Sequence, residues 1–307
     1  MGRNAIVGQS GGPTAVINSS LVGVFQAAKS RGAQHVYGMR YGVKGLLEEQ
    51  VVDLSDTLRD NLDIEILKRP PASYLGSCRY KLPVPAEDPA LYEKLFGILK
   101  KLDVGYFFYI GGNDSMDTIS KLSDYACMTG SDIKFMGVPK TIDNDLMNTD
   151  HTPGYGSAAK YIGAIMKEIT RDSLVYGTRN VTIVEVMGRN AGWLTGAAAL
   201  AKAEDCEGVD MICLPEVAFD IDHFIERLDV LQRAKAGVVI AVSEGVRVHD
   251  GRYVCELTEE LGPVDAFGHK TLTGAARFLA NKAVRELGCK ARAIELSTLQ
   301  RCSSHMA

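Results

Sequence analysis

The chain has no Cys-x-x-Cys pair. Its seven cysteines (Cys78, Cys127, Cys206, Cys213, Cys255, Cys289 and Cys302) are scattered and odd in number, which argues against a disulfide framework and for a reduced, cytoplasmic protein. Cys127 and Cys213 lie in apolar surroundings and are expected in the core, because a free cysteine behaves as a small hydrophobe. The six histidines are equally dispersed, none at ligand spacing from another, so no zinc site is read. No apolar run approaches the roughly 20 residues of a membrane-spanning helix. Met1-Gly2-Arg3-Asn4 leads straight into a strand, leaving no room for a signal peptide, and Ile6 stands where a myristoylation signal needs Ser or Thr. There is no basic excess either: a net charge of −4 supplies no general field for nucleic acid. Internal repeats and low-complexity tracts are absent.

What is present is the composition of a soluble globular protein, 46% hydrophobic and 23% charged, in 307 residues, long enough for two domains. Apolar runs predict strands at Asn4 to Val7, Val104 to Ile110, Ile133 to Val138, Val181 to Val186, Met211 to Leu214, Val238 to Val242 and Ala291 to Leu296. Helical patterns fall at Thr14 to Lys29, Ser157 to Arg171, Ala191 to Lys202, Ile221 to Ala234 and Thr271 to Leu287. Such alternation implies mostly parallel sheets with helices on both faces, an α/β fold. A domain boundary is expected near Asp150 to Gly156, dividing residues 1–152 from 153–307. Arg69-Pro70-Pro71 and Lys81-Leu82-Pro83-Val84-Pro85 bracket an irregular excursion that carries Arg79.

Chemistry gathers where these strands end. Gly8-Gln9-Ser10-Gly11-Gly12-Pro13 and Gly111-Gly112-Asn113-Asp114-Ser115 each lead from a strand toward a helix. Glycine pairs allow close backbone approach to a ligand, and the first N–H groups of a helix attract anions. The third loop, Lys140-Thr141-Ile142-Asp143-Asn144-Asp145, follows a run with the character of a buried parallel strand. If the backbone stayed extended, Asp143 and Asp145 would point the same way and present paired acceptors for a metal or a proton. Alone, this loop reads first as a polar turn, with function the minority reading. With the two glycine loops it argues for one polyphosphate site with magnesium bridging its oxygens. Farther on, Arg189 in Met187-Gly188-Arg189 emerges after a strand, and its planar fork suits phosphate. Glu244 follows another strand and suits sugar hydroxyls. Arg292 and Arg301 flank the last strand, either to grip a second phosphate or as solvated charges.

In order along the chain, Gly11-Gly12, Leu75-Gly76-Ser77-Cys78-Arg79, Gly111 to Ser115, Thr141 to Asp145, Val184 to Arg189 and Gln300-Arg301 resemble the motifs of the phosphofructokinases. The resemblance implies two Rossmann-like three-layer α/β domains, with the active site in their cleft, and phosphoryl transfer to the 1-hydroxyl of fructose 6-phosphate. It implies Asp143 as the base and Asp145 as a magnesium holder, with Asn113 and Asp114 beside the metal. It places Thr141, Arg79 and Arg189 around the phosphoryl group in flight. Gly11, Gly12, Asp114, Ser115 and Lys140 would hold the donor. Thr141, Asp143, Met187, Gly188, Arg189, Glu244, Arg292 and Arg301 would hold the sugar phosphate. ATP-dependent members resemble Gly-Gly-Asp-Gly-Ser and Gly-Thr-Ile-Asp-Asn-Asp at the second and third loops. Here Asp114 and Lys140 replace the small residues, filling the nucleotide's space and adding a cation, which implies pyrophosphate as donor.

Departures from the family pattern are Asn113 for a metal-binding aspartate, Asn180 for an arginine and Thr298 for a histidine. The family also continues beyond the equivalent of Ala307 with elements that return to the first domain; without them apolar faces are expected to be exposed. A homodimer or homotetramer is expected by resemblance. The rival readings are an ATP-dependent enzyme, a catalytically silent sugar-phosphate-binding subunit and a nucleotide-sensing module.

Overall fold

The structure is a computed structural model that describes residues 3–257 and 272–303. The expected helix start at Thr271 lies outside these residues. The chain divides into two compact units: Met1–Thr141 with Arg301–His305, and Ile142–Gln300. The change of unit thus comes ahead of the Asp150 to Gly156 stretch, inside the strand-end motif itself.

In the first unit, β1 (Asn4–Gln9) is followed by α1 (Ile17–Ser30), β2 (Val36–Met39), α2 (Gly42–Leu47) and β3 (Val51–Asp53). Then come α3 (Leu54–Thr57), α4 (Asn61–Lys68), α5 (Pro89–Lys101), β4 (Val104–Gly111), α6 (Asn113–Thr129) and β5 (Lys134–Pro139). The sheet is five-stranded, in the order β3-β2-β1-β4-β5, parallel except for the β2–β3 pair. Alternation along β1 sends Ala5 and Val7 to one layer with Leu21, Val22 and Phe25, and Ile6 to the other with Leu95, Leu99 and Leu122. The central strand β1 is buried along its whole length because both of its faces are covered. The irregular stretch with Arg79 carries no strand or helix, as its prolines predict.

Two expectations are corrected here. The run ending at Val138 forms β5, a parallel strand, but at the sheet edge and only partly buried, with Lys134 and Met136 exposed. Apolarity reported sheet membership; among the described residues β5 is the edge strand, paired with β4 alone. Cys127 is exposed, because it lies on the outer side of α6 whereas Leu122 and Ala126 face inward.

In the second unit, α7 (Tyr155–Leu174) precedes β6 (Asn180–Val186), α8 (Trp193–Gly196), β7 (Met211–Cys213), α9 (Ile221–Ala234), β8 (Gly237–Ser243), α10 (Ala275–Leu287) and β9 (Lys290–Glu295). A parallel four-stranded sheet runs β7-β8-β6-β9. Val181, Ile183, Val238 and Ile240 pack with α9 and α10, while Val184, Val186, Val239 and Ala241 pack with α7 and α8. The predicted single helix Ala191 to Lys202 is instead the short α8 followed by a 3-10 segment, Ala197–Ala201. Cys213 is half-buried, and burial pushes its thiol up to about 12. The last short helix, α11 (Leu299–Cys302), brings Arg301 into the first unit. On the first unit's sheet Tyr106 and Met136 are 49% and 55% exposed.

Candidate active site

In the first unit the strand-end loops are tied to one another. Ser10 N–H donates to the Ile110 carbonyl at 2.9 Å, Gly11 N–H to the Cys78 carbonyl at 3.3 Å, and Lys140 N–H to the Gly111 carbonyl at 3.0 Å. Ser77 Oγ donates to the Gly11 carbonyl at 2.6 Å, and Ser115 Oγ to Ser10 Oγ at 3.0 Å. Beneath them Gln9, fully buried, donates to the Ile17 carbonyl and Asn18 Oδ1 and accepts from Leu75 N–H. Buried polar groups satisfied in this way hold one arrangement, because breaking it would strand a donor.

Lys140 is buried at 5% exposure. A Cβ on Gly11 would meet its Nζ at 3.3 Å and a Cβ on Gly112 would meet the same atom at 4.0 Å, so the ammonium stands over both glycine turns. Gly11 also has φ +76°, a conformation that glycine adopts without strain. The Arg301 guanidinium stands at 3.1 Å from a Cβ on Gly12. Arg301 therefore lies on the donor turn, together with the residues assigned to the donor.

Gly112 caps α6, so Asn113, Asp114 and Ser115 form a helical first turn. Asp114 is favourably placed there against the helix dipole. The first glycine pair differs: Pro13 to Val16 intervene before α1, and Gly11-Gly12 does not abut a helix start. Arg79 is exposed and Thr141 partly buried.

In the second unit, Asn144 has φ +59°. The backbone is not extended there, so Asp143 and Asp145 do not share a direction as the sequence spacing implied. Asp143 is partly buried and its charge is felt at Glu244, whereas Asp145 is exposed and borders an open depression.

Glu244 and the Met187-Gly188-Arg189 turn meet at adjacent strand ends. Glu244 Oε1 accepts from Gly188 N–H at 3.3 Å and Arg189 N–H at 3.2 Å. Burial pushes this carboxyl up to about 7; the two N–H groups oppose the shift, and the charges of Asp143 and Glu185 add to it. Arg189 has φ +46° and Gly188 φ +141°. Met187 N–H donates to Gln300 Oε1 at 3.0 Å, and Gln300 is buried.

Arg292 is not part of this cluster. It pairs in register with Thr182, toward the amino end of β6, and its guanidinium bonds Asp172 at 3.2 Å. Arg179, adjacent to Asn180, pairs with Asp229 at 3.2 Å.

Gln300, Gly245, Asn144 and Gln9 carry no role in the reading from sequence. Gln300 and Asn144 sit inside motifs already recognised by their charged neighbours, which is the signal that could have found them.

Among the described residues no group of three or more His, Cys, Asp or Glu forms a metal cage. Asn113 and Asp114 in the first unit, and Asp145 in the second, each carry hard oxygens of the type magnesium takes, with waters and substrate phosphates completing its shell. No described helix is long and apolar enough to cross a membrane.

The phosphofructokinase family model matches residues 4–307. The chain belongs to the phosphofructokinase family. It is 40% identical to the pyrophosphate–fructose 6-phosphate 1-phosphotransferase of Methylococcus capsulatus, an alignment covering 99% of this chain and 72% of that protein. Among solved structures it is similar to the pyrophosphate-dependent phosphofructokinase of Nitrosospira multiformis, at 36% identity and TM-score 0.84, covering 99% of this chain and 71% of the other. The corresponding enzyme of Marinobacter aquaeolei gives 38% identity and TM-score 0.81, covering 99% and 70%. The phosphofructokinase fold accounts for both sheets.

Proposed function

We propose that this phosphofructokinase-family chain transfers a phosphoryl group reversibly from pyrophosphate to the 1-hydroxyl of fructose 6-phosphate, giving fructose 1,6-bisphosphate and phosphate. The observation that carries the choice of donor is the Lys140 ammonium standing over Gly11 and Gly112, with Asp114 in the turn that follows. A buried cation at that place suits a short polyphosphate. An aspartate beside it takes the volume of a nucleotide's α-phosphate and ribose and repels its charge.

In this reading Asp143 takes the proton of the sugar 1-hydroxyl as its oxygen bonds to phosphorus. The bridging P–O bond of pyrophosphate breaks and phosphate leaves with the bond's electrons. Arg79, Arg189 and Thr141 steady the phosphoryl group, and the Gly11-Gly12 turn, whose Gly11 N–H is engaged by the Cys78 carbonyl, holds the donor with Ser115 and Lys140. Met187, Gly188, Arg189 and Glu244 hold the sugar phosphate. Arg301 lies over Gly12 and Arg292 bonds Asp172, so the assignment of these two to the sugar rests on the family pattern alone. Phosphoryl transfer asks chiefly for positioning and charge neutralisation, and these groups supply both.

Asp145, with Asn113 and Asp114, would hold magnesium, which when bound neutralises phosphate charge. The division into a pyrophosphate and magnesium part, residues 1–152, and a fructose 6-phosphate part, residues 153–307, belongs to the same proposal, as do a cytoplasmic location and a homo-oligomeric state.

Steady-state assays of the purified chain with fructose 6-phosphate and magnesium test the reading. Turnover is expected with pyrophosphate, and robust turnover with ATP alone overturns it.

A further inference from the structure

The acids of the strand-end motif are separated by a residue that has two jobs. Asn144 is buried at 6% exposure, with φ +59°. Asparagine enters this left-handed region more readily than most residues. Its side-chain amide is used at both ends: Nδ2 donates to the Asp150 carbonyl at 3.0 Å, and Oδ1 accepts from Thr152 N–H at 2.9 Å. The amide thereby closes the neck of the loop 145–151. Thr152 in turn accepts from Tyr155 N–H at 3.0 Å, where α7 begins. That helix is set in the core with Ile142 through Ala158, Ala159 and Ile162. The loop is therefore clamped to a packed helix on one side and to a buried isoleucine on the other.

The consequence falls on the neighbours. The left-handed residue turns the chain between Asp143 and Asp145, so that Asp143 is felt at Glu244 while Asp145 borders a depression of about 530 Å³ with Asp150, His151 and Trp193. Two carboxylates on one extended segment would compete for the same space. Here one is partly buried and felt at Glu244, and the other is exposed.

We propose that Asn144 is a positioning residue for the transfer reaction: its left-handed backbone and clamping amide hold Asp143 and Asp145 in separate directions, which lets one act as base and the other as a metal carboxylate. This rests on the function proposed above. The residue types agree with it, since the position needs a left-handed conformation, a donor and an acceptor together. Glycine supplies only the first, and aspartate supplies the first and the last.

The test compares wild type with Asn144→Gly and Asn144→Asp in the full chain. Amide hydrogen exchange without substrates reads the clamp directly. The amides of residues 145–152 are expected to exchange at least about ten-fold faster in Asn144→Gly, and by a smaller factor in Asn144→Asp, while those of β6 and β8 stay unchanged. Steady-state kinetics are expected to show kcat lowered about ten-fold or more and KM for fructose 6-phosphate within about two-fold, because only the reacting geometry is disturbed. Unchanged loop exchange in either folded variant overturns the clamp. A kcat equal to wild type, or a rise in KM alone, overturns the positioning role. If Asn144→Gly does not fold, the same two readouts on Asn144→Asp decide. Absence of turnover in wild type would sink the proposed function, while the exchange measurement would still judge the clamp.

Discussion

The carbonyl oxygen of Arg189 occupies the space in which any side chain at Gly245 would begin: a Cβ there would lie 1.4 Å from it. The turn that presents Arg189 is thus seated on bare backbone and fastened by the carboxylate of the preceding residue, Glu244. Replacing Gly245 with alanine must move one segment or the other. Gly245→Ala is expected to cost roughly 1–3 kcal/mol of stability in urea unfolding. It is also expected to lower kcat at least about ten-fold, because Arg189 moves with its turn. Wild-type values for both would show that the turn tolerates displacement.

Removing the proposed base separates chemistry from binding. Asp143→Ala is expected to lower turnover by about 10²–10⁴-fold while leaving fructose 6-phosphate affinity, measured by equilibrium titration, within a factor of about two. A rate near wild type removes Asp143 from the mechanism.

The donor preference is expected to follow two side chains. Asp114→Gly combined with Lys140→Gly opens the volume beside Gly11 and Gly112 and removes the cation that stands there. Pyrophosphate turnover should fall at least about ten-fold, the scale of a lost charge-assisted contact, and ATP-dependent turnover should become measurable. Retention of full pyrophosphate activity by the double variant would contradict the role given to Lys140.

Glu244 imposes a pH dependence of known sign. Its carboxyl, at about 7 in the folded chain against 4.5 as reference, prefers the protonated form once buried. The stability it contributes is therefore complete below pH 4.5 and is lost as pH rises through about 7, by roughly 3 kcal/mol. Glu244→Gln keeps the shape without the titration. Urea unfolding at pH 5 and pH 8 is expected to show wild type losing more stability than the variant across that interval. Glu185 is shifted in the same direction by burial, but it is common to both proteins. Equal losses in the two would refute the assignment to Glu244.

The strands that carry the loops were legible as apolar runs, with ends displaced by a residue or two. β2 and β3 were not read, since Val36–Met39 and Val51–Asp53 are too short for a periodic signal. The loops were legible because Gly-Gly, Lys140, Asp143 and Arg189 are residue types that strand ends need for phosphate chemistry. Their supports were not: Gln9, Asn144 and Gln300 look ordinary until burial and partners are known. Arg292 shows the opposite case. It stands at the start of the last apolar run rather than after it, and its register opposite Thr182 sets it toward the amino end of the sheet.

By itself the sequence determined the alternation of strand and helix, the family, and the residues able to bind and move a phosphoryl group, because these depend on local composition and motif order. Tertiary structure decided which of them meet. It stood one ammonium over two glycine turns far apart in sequence, laid Arg301 over Gly12, and turned Asp143 away from Asp145 through a left-handed asparagine. Such outcomes depend on how close backbones approach and on which partners a buried polar group finds, and neither is encoded in the spacing of residues along the chain.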